Sequence, residues 1–564
     1  MGVRMAMNTI LRNAHTSNVP LQTLGPLIHN PQTISLLNKM NVSAVKSTDE
    51  ITASTVVIRT HGIPPETMKN VVDKGVKIID VTCPHVLRIH KIIDEHYKNG
   101  YSILIYGDEG HAEVVGLQGF ANDRGYLVKN IEDIPKLPVM EKICLVAQTT
   151  QSIGDWLKIK NTVIESYPNA KVFDTICRAT DNRQKEVEHL AEISDAVIIV
   201  GGKNSANSTR LYEIAKSLSK RALHVETEKE LDASYFRDAK TVSIVSGAST
   251  PSWLLQRVSE RLKEIDTINS PAPFKFPLIA WRYFIAFNGY LALGAALMTF
   301  TAQKLQGVTT SPLHLATSAF YIHSMYVINR LTHIRSYQFE EIFQADPILT
   351  HRKLSQALLI LTCFSSLVCS FFMGTSFFIL ILLSTAAGLL YHVKIFPPNN
   401  LPLLRHRRPK DIPLSKDLGI AIAWGVICTA TTDAERYLGM FPSITTILTF
   451  LFVFSIAFTR TLFNDLHDIQ RDMVVGRETL PILMGKKFPK VFPSVPVLFV
   501  SILIVTAILT STWQKPLLFL LLTPLWTAVS HRFFTGGKLE DETIFDAIID
   551  FSFVLPALII LFVN

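Results

Sequence analysis

From Leu278 onward the sequence consists mostly of apolar runs of membrane length, and no other feature narrows the possible folds as far. The runs are Leu278 to Ala302, Leu313 to Ile334, Gln356 to Phe372, Thr375 to Val393, Asp417 to Thr432, Ser443 to Phe463, Val491 to Thr512, Pro516 to Phe534 and Thr543 to Val563. A helix needs roughly 20 apolar residues to cross the hydrocarbon core, and inside lipid only helices and closed barrels satisfy their own backbone. About nine such runs therefore predict an all-α polytopic membrane domain of about nine transmembrane helices over residues 278–564.

Basic residues set the orientation of those spans. Alternate loops hold Arg330, Arg335, Arg352 and Lys353; Lys394, Arg405, Arg407, Arg408, Lys410 and Lys416; and Arg471, Arg477, Lys486 and Lys487. The opposite loops carry little beyond Lys304, Arg436 and Lys515. The richer set is expected in the cytoplasm, which also puts the N-terminal part there. The expected location is the cell (inner) membrane, multi-pass, with the N-terminal domain cytoplasmic.

Up to about Ile268 the composition is that of a soluble protein, so the overall 48% apolar content averages two unlike modules. The predicted division is a first domain over 1–268, a linker over 269–277 and the membrane domain over 278–564. The stretch INSPAPFKFP holds three prolines and reads as a stiff, non-helical connector. Much of the formal charge of +8 lies beside apolar spans, which argues against nucleic acid as a partner. Six cysteines without paired spacing argue against a disulfide framework. The first residues, MGVRMAMNTILRNAH, have no signal-peptide core.

Within the first domain one short pattern occurs twice, as IIDVTCPHV (Ile78 to Val86) and VFDTICRAT (Val172 to Thr180). Each is a strand-like run, then Asp-x-x-Cys, then a helix start. A helix N-terminus favours the thiolate, so Cys83 and Cys177 read as equivalent groups converging on one centre. Two unrelated buried cysteines are the structural alternative. The runs VVIRTHG, ILIYGDEGHAE, ICLVAQTTQS, AVIIVGGKNSANS and VSIVSGAST alternate with amphipathic helical stretches. That alternation predicts parallel sheets with the ligand site beyond the carboxyl ends of the strands. The loops there carry His29, His61, His111, Thr149, Ser205, Asn207 and Ser249. Such groups suit a diphosphate, although singly each could be a cap or turn residue.

The ordered motifs HNP at His29, THG at His61, VTCP at Cys83, GHAEV from His111, QTT at Gln148, TICRATDNRQ around Cys177, KNSANS at Lys203 and SGAST at Ser246 resemble the 4-hydroxy-3-methylbut-2-enyl diphosphate reductase (LytB-type) family. The resemblance implies three α/β lobes around a [4Fe-4S] cluster and reduction of an allylic hydroxyl, with electrons from a ferredoxin or flavodoxin. It implies Cys83 and Cys177 as cluster ligands and Glu113 as the proton-delivering acid beside Thr149. His29, His61, His111, Thr149, Ser205, Asn207 and Ser249 become substrate contacts. Members begin with a strand and a G-F-C-x-G-V-R-like segment that supplies the first cluster cysteine, whereas this sequence opens at Met1-Gly2-Val3-Arg4. A start placed too late is the expected reason, and a reductase that has lost one ligand is the alternative. Cys144, mid-strand in ICLVAQTT, is no substitute by spacing.

At the end of the sixth run lies TRTLFNDLHDIQRDMVVGRETLPILMG, where Asn464, Asp465, Asp468 and Asp472 recur at helical spacing. Carboxylates grouped at a membrane edge are costly unless they bind a cation, and Mg2+ carrying a diphosphate fits that need. The alternative is a solvated helix end. The motif, with Tyr391 and Lys394, Ser415-Lys416-Asp417 and Ala423-Trp424, resembles the UbiA-type intramembrane prenyltransferases. That implies Mg2+ at Asp465, Asp468 and Asp472, a prenyl diphosphate near Asn464, Arg330 and Lys394, and a lipid-phase acceptor. The family's first aspartate motif is replaced here by NRLTHIRSY from Asn329, so one metal, or Arg330 itself, would have to serve. Asp546 and Asp550 are further intramembrane candidates.

The expected whole is an α/β three-lobed iron–sulfur reductase domain followed by the membrane domain, a bifunctional isoprenoid enzyme. A catalytically impaired scaffold or regulatory diphosphate-binding protein is the alternative, and a transporting membrane half is a third reading.

Overall fold

The computed structural model describes every residue except 1, 17–18, 29, 220, 270–271, 333–346, 394–408, 410–411, 413, 431–442, 470–471, 473–478, 486–493, 536–541 and 564. The chain divides into two compact units, Met1–Ile265 and Asp266–Asn564.

The first unit is built from three small sheets whose strand pairings are all parallel among the described residues. The first contains β1 (Leu21–Leu24), β2 (Val42–Val45), β3 (Thr55–Ile58) and β4 (Lys77–Asp80), in the order β2-β1-β3-β4. The second contains β5 (Ser102–Tyr106), β6 (Gly125–Val128), β7 (Ile143–Ala147) and β8 (Lys171–Val172), in the order β6-β5-β7-β8. These orders are the same topology repeated. The third sheet, of β9 (Ala196–Val200), β10 (Ala222–Val225) and β11 (Val242–Ser246), runs β10-β9-β11 and repeats the first three positions.

Central strands read as continuous apolar runs because both faces are covered: β7 and β9 are buried at every residue. The helices that cover them are amphipathic. In α4 (Pro84–Lys98), Val86, Ile89 and Ile93 are buried, and Ile89 and Ile93 pack with Ile103, Ile105 and Val114. The predicted alternation of strands and helices is thus present, with each sheet carrying its own core.

The second unit is helical. Its longer elements are α10 (Ala272–Ala286), α11 (Gly289–Leu305), α12 (Pro312–Thr332), α13 (Arg352–Phe371), α14 (Thr375–Leu390), α15 (Ser415–Thr429), α16 (Ile444–His467), α17 (Ser494–Leu509), α18 (Leu522–Thr535) and α19 (Glu542–Val563). Trp424 is fully buried at its centre and stacks on Phe553, ring centroids 4.0 Å apart. Leu291, Met298, Phe377, Phe452 and Ile504 close around them. The outward faces are apolar too, with Ile360, Leu361, Phe364, Phe372, Leu498 and Phe562 exposed, the pattern of a lipid-facing surface.

Two expectations differ from the structure. The count of about nine spans is not confirmed: among the described residues three helices are long and apolar enough to cross a membrane, or four if one bent pair counts as a single span. The first expected run breaks into α10 and α11, bent by 66°, because Asn288 adopts a left-handed conformation (φ 59°) between them. Other runs are shortened, α14 and α17 to 16 residues each, or interrupted, as where a 3-10 turn at Lys515–Leu521 precedes α18. α12 falls short on composition, since it buries His314, Thr317, Ser318, His323 and Ser324. The connector is likewise not a non-helical strut. The helix Ser252–Asn269 and α10 flank it closely, and Pro273 falls in the first turn of α10, where a missing N–H costs nothing.

Candidate active sites

The two Asp-x-x-Cys segments fold alike. β4 and β8 are matching edge strands, and each leads into a helix whose N-cap is the cysteine: Cys83 on α4, and Cys177 on α7 (Arg178–Ile193). The Cys83 N–H donates to the carbonyl of Thr60, just beyond β3, at 2.9 Å. The Cys177 N–H donates to that of Thr149, just beyond β7, at 3.0 Å. Both thiols are half-buried at a helix N-terminus. The motif aspartates build the turns: Asp80 accepts from the Thr82 N–H at 2.9 Å, and Asp174 from the Trp156 indole at 2.8 Å. Gly2, opening α1 (Gly2–Thr16), touches the first of these sites, since a Cβ there would lie 2.5 Å from Cys83 Sγ. Cys144 is buried inside β7, and burial pushes its thiol up to about 12, as befits a packing residue.

Thr149 also holds the candidate acid. Glu113, in the first turn of α5 (Ala112–Ala121), is 1% exposed. Its two carboxyl oxygens accept from the Thr149 N–H (2.7 Å) and hydroxyl (2.8 Å). Burial raises the Glu113 pKa to about 7 against the pull of those two bonds. Such a group is poised to give or take a proton near neutrality. His111 N-caps the same helix, Nδ1 accepting from the Glu113 N–H at 3.2 Å, and the His61 ring meets the His111 ring edge-on at 5.4 Å.

The THG turn has a support that sequence reasoning missed. Gly62 has φ +71°, and a Cβ there would meet His90 Cε1 at 2.6 Å. His90 is buried on α4, stacks on Phe120 and is pushed down to about 4 by burial, so it is neutral at pH 7. Its burial follows from the same spacing that buries Val86, Ile89 and Ile93, which is the signal that could have found it. Arg59, two residues before His61, was also missed; its guanidinium fills the space a Cβ would take at Gly25.

The third sheet contributes hydroxyls and an amide. Ser205 N-caps α8 (Ala206–Leu218) without using its side chain for the cap, and Asn207 lies in the first turn. Both amide atoms of Asn207 and the Ser249 hydroxyl are buried without a hydrogen-bond partner among the described residues. Unsatisfied groups of this kind are costly unless a ligand completes them. His29 lies outside the described residues.

In the second unit the acidic motif ends α16. Asp465 is 1% exposed, and the Lys416 ammonium meets its Oδ1 at 2.5 Å. Asp417, next to Lys416 on α15 and equally buried, lies within electrostatic reach of Asp465 and Asp472. Among the described residues one oxygen each of Asp417 and Asp465 is buried without a hydrogen-bond partner, as is Oδ1 of Asn464. Asp468 forms the C-cap of α16, its N–H donating to the Asn464 carbonyl at 2.9 Å. Sequence reasoning used Lys416 and Asp417 as a loop charge and as part of a resemblance; the Lys416–Asp465 pair and the burial of Asp417 make them site residues.

Three other expected residues, Arg330, Tyr391 and Asp550, meet protein partners of their own. Arg330 pairs with Asp546 at 3.9 Å and donates to the Ala286 carbonyl, so its charge already has a protein partner. Tyr391 reaches the Ser415 hydroxyl at 2.9 Å, while Lys394 lies outside the described residues. Asp550 makes a buried pair with Arg460 at 2.5 Å, and Arg460 also donates to the Tyr326 hydroxyl.

Among the described residues no three His, Cys, Asp or Glu side chains are grouped to hold a metal ion. The donors fit in kind nonetheless: two half-buried thiols at helix starts suit iron and sulfur, and buried carboxylate oxygens suit a hard cation.

Fold and sites define a two-part chain, an α/β unit with paired cysteine turns and a buried acid, and a membrane-embedded helical unit with an acid cluster. Residues 1–263 match the LytB protein family and residues 345–546 the UbiA prenyltransferase family. The chain belongs to the LytB family and is a fusion, its C-terminal part being a UbiA prenyltransferase family region. The 4-hydroxy-3-methylbut-2-enyl diphosphate reductase of Clostridium perfringens is 37% identical over 269 residues, 47% of this chain and 95% of that protein. That of Nautilia profundicola is 43% identical over 247 residues, 43% of this chain and 89% of that protein. A solved structure of (E)-4-hydroxy-3-methyl-but-2-enyl diphosphate reductase is 38% identical, covering 47% of this chain and 95% of its own, with a TM-score of 0.39.

Proposed function

We propose that the first unit reductively removes the hydroxyl of 4-hydroxy-3-methylbut-2-enyl diphosphate, giving isopentenyl and dimethylallyl diphosphates. The C–O bond breaks, two electrons and two protons enter, and the oxygen leaves as water. The buried Glu113–Thr149 pair carries this reading, because it is an acid tuned to about pH 7 and joined through Thr149 to the Cys177 turn. Cys83 and Cys177 would hold a [4Fe-4S] cluster, which supplies electrons and a Lewis-acidic iron when bound. Protonated Glu113 delivers a proton, and the Thr149 hydroxyl orients it. His29, His61, His111, Ser205, Asn207 and Ser249 hold the diphosphate and hydroxyl, with Nδ2 of Asn207 and the hydroxyl of Ser249 donating to phosphate oxygens. An external one-electron carrier, a ferredoxin or a flavodoxin, supplies the electrons.

The second unit, in the same reading, transfers a prenyl group from its diphosphate to a lipid-phase acceptor. Asp417, Asp465, Asp468 and Asp472 would hold Mg2+, which neutralises the leaving diphosphate. Lys416 stands beside Asp465 to share that charge, and Asn464 offers its amide. Because Arg330 is paired with Asp546, it is a weaker candidate for the diphosphate than Lys416. The loop charges favour a cytosolic face for both sites and for the α/β unit.

The test is anaerobic turnover of the full-length protein on 4-hydroxy-3-methylbut-2-enyl diphosphate with dithionite and a viologen, comparing Glu113→Gln with the parent. Five-carbon diphosphates from the parent and a loss of about 10²–10⁴-fold in the variant are expected. Equal rates would overturn the assignment of Glu113, and no product from iron-loaded parent would overturn the reading of the first unit.

A further inference from the structure

We infer that α10 is not the first half of a span but an interfacial helix, laid along the boundary between headgroups and acyl chains with anionic phospholipid as its partner. The inference rests on the membrane-embedded reading of the second unit and is independent of prenyl transfer. Length argues for it first. α11 has 17 residues, about 26 Å of helix, and so nearly crosses a hydrocarbon core of about 30 Å by itself, whereas a straight α10–α11 rod would measure about 50 Å. Bent by 66°, α10 instead lies mainly across the direction of α11. The bend is built into the sequence. Asn288 is buried in its left-handed conformation, and a Cβ at Gly289 would lie 2.4 Å from the Phe284 ring and 2.9 Å from the Phe284 carbonyl oxygen. Carbonyls freed by the break find donors inside the protein: that of Ala286 accepts from Arg330 at 3.4 Å, and that of Phe287 from His323 Nε2 at 3.0 Å. Irregular backbone at membrane depth persists only with such partners.

The side chains of α10 divide the same way. Ile285 and, in the turn that follows, Phe287 are buried. Outward, Phe276 is 78% exposed, and Trp281, Tyr283 and Phe284 are between 40% and 47% exposed. Among the described residues these are the only exposed Trp and the only exposed Tyr, whereas the large apolar side chains exposed on α13, α17 and α19 are Leu, Ile, Val and Phe. Trp and Tyr favour the interface, where the polar tip meets headgroups and the ring meets chains. Trp281 also touches Tyr290 of α11, ring centroids 5.6 Å apart, one turn before the exposed Leu293. The aromatic face thus runs on into the lipid-facing surface of the unit, and the same solvent covers both. Its charge selects the kind of lipid. No acidic residue occurs from Thr267 to Phe339, while α10 carries Lys275 and Arg282. Cations among interfacial aromatics fit anionic headgroups.

The test measures tryptophan depth in the full-length protein, reconstituted in vesicles of phosphatidylcholine and phosphatidylglycerol with chains brominated near the carbonyl end or near the methyl end. Emission of Trp281 is the difference between the parent and Trp281→Phe, and Phe276→Trp and Phe284→Trp are each read in the Trp281→Phe protein. Bromines near the carbonyl end should quench all three indoles about twofold or more above those near the methyl end, with the two introduced indoles alike. A deep Phe284→Trp indole beside an unquenched Phe276→Trp indole would make α10 part of a straight span, since eight residues of helix along the membrane normal cover about 12 Å. No quenching at any of the three would put water, another copy of the chain or another protein over the face. Either result overturns the inference. Placing the bromines on phosphatidylglycerol alone should quench Trp281 more than placing them on phosphatidylcholine alone at the same mole fraction, and equal quenching would overturn the choice of anionic lipid.

Discussion

Replacing Glu113 by Gln tests the electrostatics of the α/β unit directly. The carboxyl is buried and its pKa is raised from 4.5 to about 7. At pH 7 roughly half of the groups would then carry the proton, against about 0.3% at the ordinary value, so burial multiplies the supply of acid about 150-fold. The same shift has a cost to folding. The folded pKa lies above the unfolded one, so between pH 4.5 and 7 the unfolded state loses its proton while the folded state keeps it. Stability therefore falls as pH rises through that window, by about 3 kcal/mol in all, and is level above it. Gln is isosteric and keeps both contacts, accepting from the Thr149 N–H and donating to its hydroxyl instead of accepting from it. The variant should fold, lose this part of the pH dependence and lose turnover. In the parent, kcat/KM with an artificial electron donor should fall tenfold per pH unit above about pH 7. Thr149→Val removes a bond that stabilises the ionised form and should move that break upward. Infrared difference spectra of parent against Glu113→Gln should show the carboxyl band titrating near pH 7. A titration near 4.5, or a rate flat between about pH 6 and 9, would refute the argument that burial outweighs the two hydrogen bonds.

Cys83→Ser and Cys177→Ser should each strip iron–sulfur absorbance from anaerobically reconstituted protein, whereas Cys144→Ala should leave it intact, because the Cys144 thiol is buried and protonated inside β7. Lys416→Met strands the buried Asp465 carboxylate and should lower membrane-unit stability by about 3–5 kcal/mol in a detergent thermal shift; Mg2+ should restore part of it, but not in Lys416→Met with Asp465→Asn. Asp468→Asn should abolish Mg2+-dependent incorporation of labelled prenyl groups into lipid, and equal incorporation would remove the metal role. Arg460→Met should cost about 3–5 kcal/mol by unpairing Asp550, with most of the loss recovered when Asp550→Leu is added.

The repeated pattern was legible because a parallel strand, a thiol and a helix start follow one another within a few residues in both copies. Their equivalence in space follows from identical strand orders, which are long-range pairings that no window of sequence contains. The strands β1, β2, β6 and β10 are four residues long and were harder to read than the runs behind β5, β7, β9 and β11. In the membrane unit, hydropathy counted apolar runs but could not see a turn forced by Asn288, nor that α12 would bury histidines and hydroxyls. Partner choice was equally hidden: Arg330 looked available to a diphosphate, yet Asp546, more than 200 residues away in sequence, meets it. Lys416 and Asp417 gained meaning only when α15 brought them beside α16.

Thr149 explains why the proposed proton and electron chemistry can be coordinated without a long relay. Its N–H and hydroxyl fix both oxygens of Glu113, and its carbonyl fixes the N–H of Cys177. One residue at the carboxyl end of β7 thus sets the position of the acid and of one cysteine turn. The equivalent strand of the first sheet does the corresponding work for the other thiol, since Thr60 beyond β3 holds the Cys83 N–H and directly precedes His61. Each pair is therefore tied to a central strand whose burial leaves it little freedom, and the reactive groups inherit that rigidity.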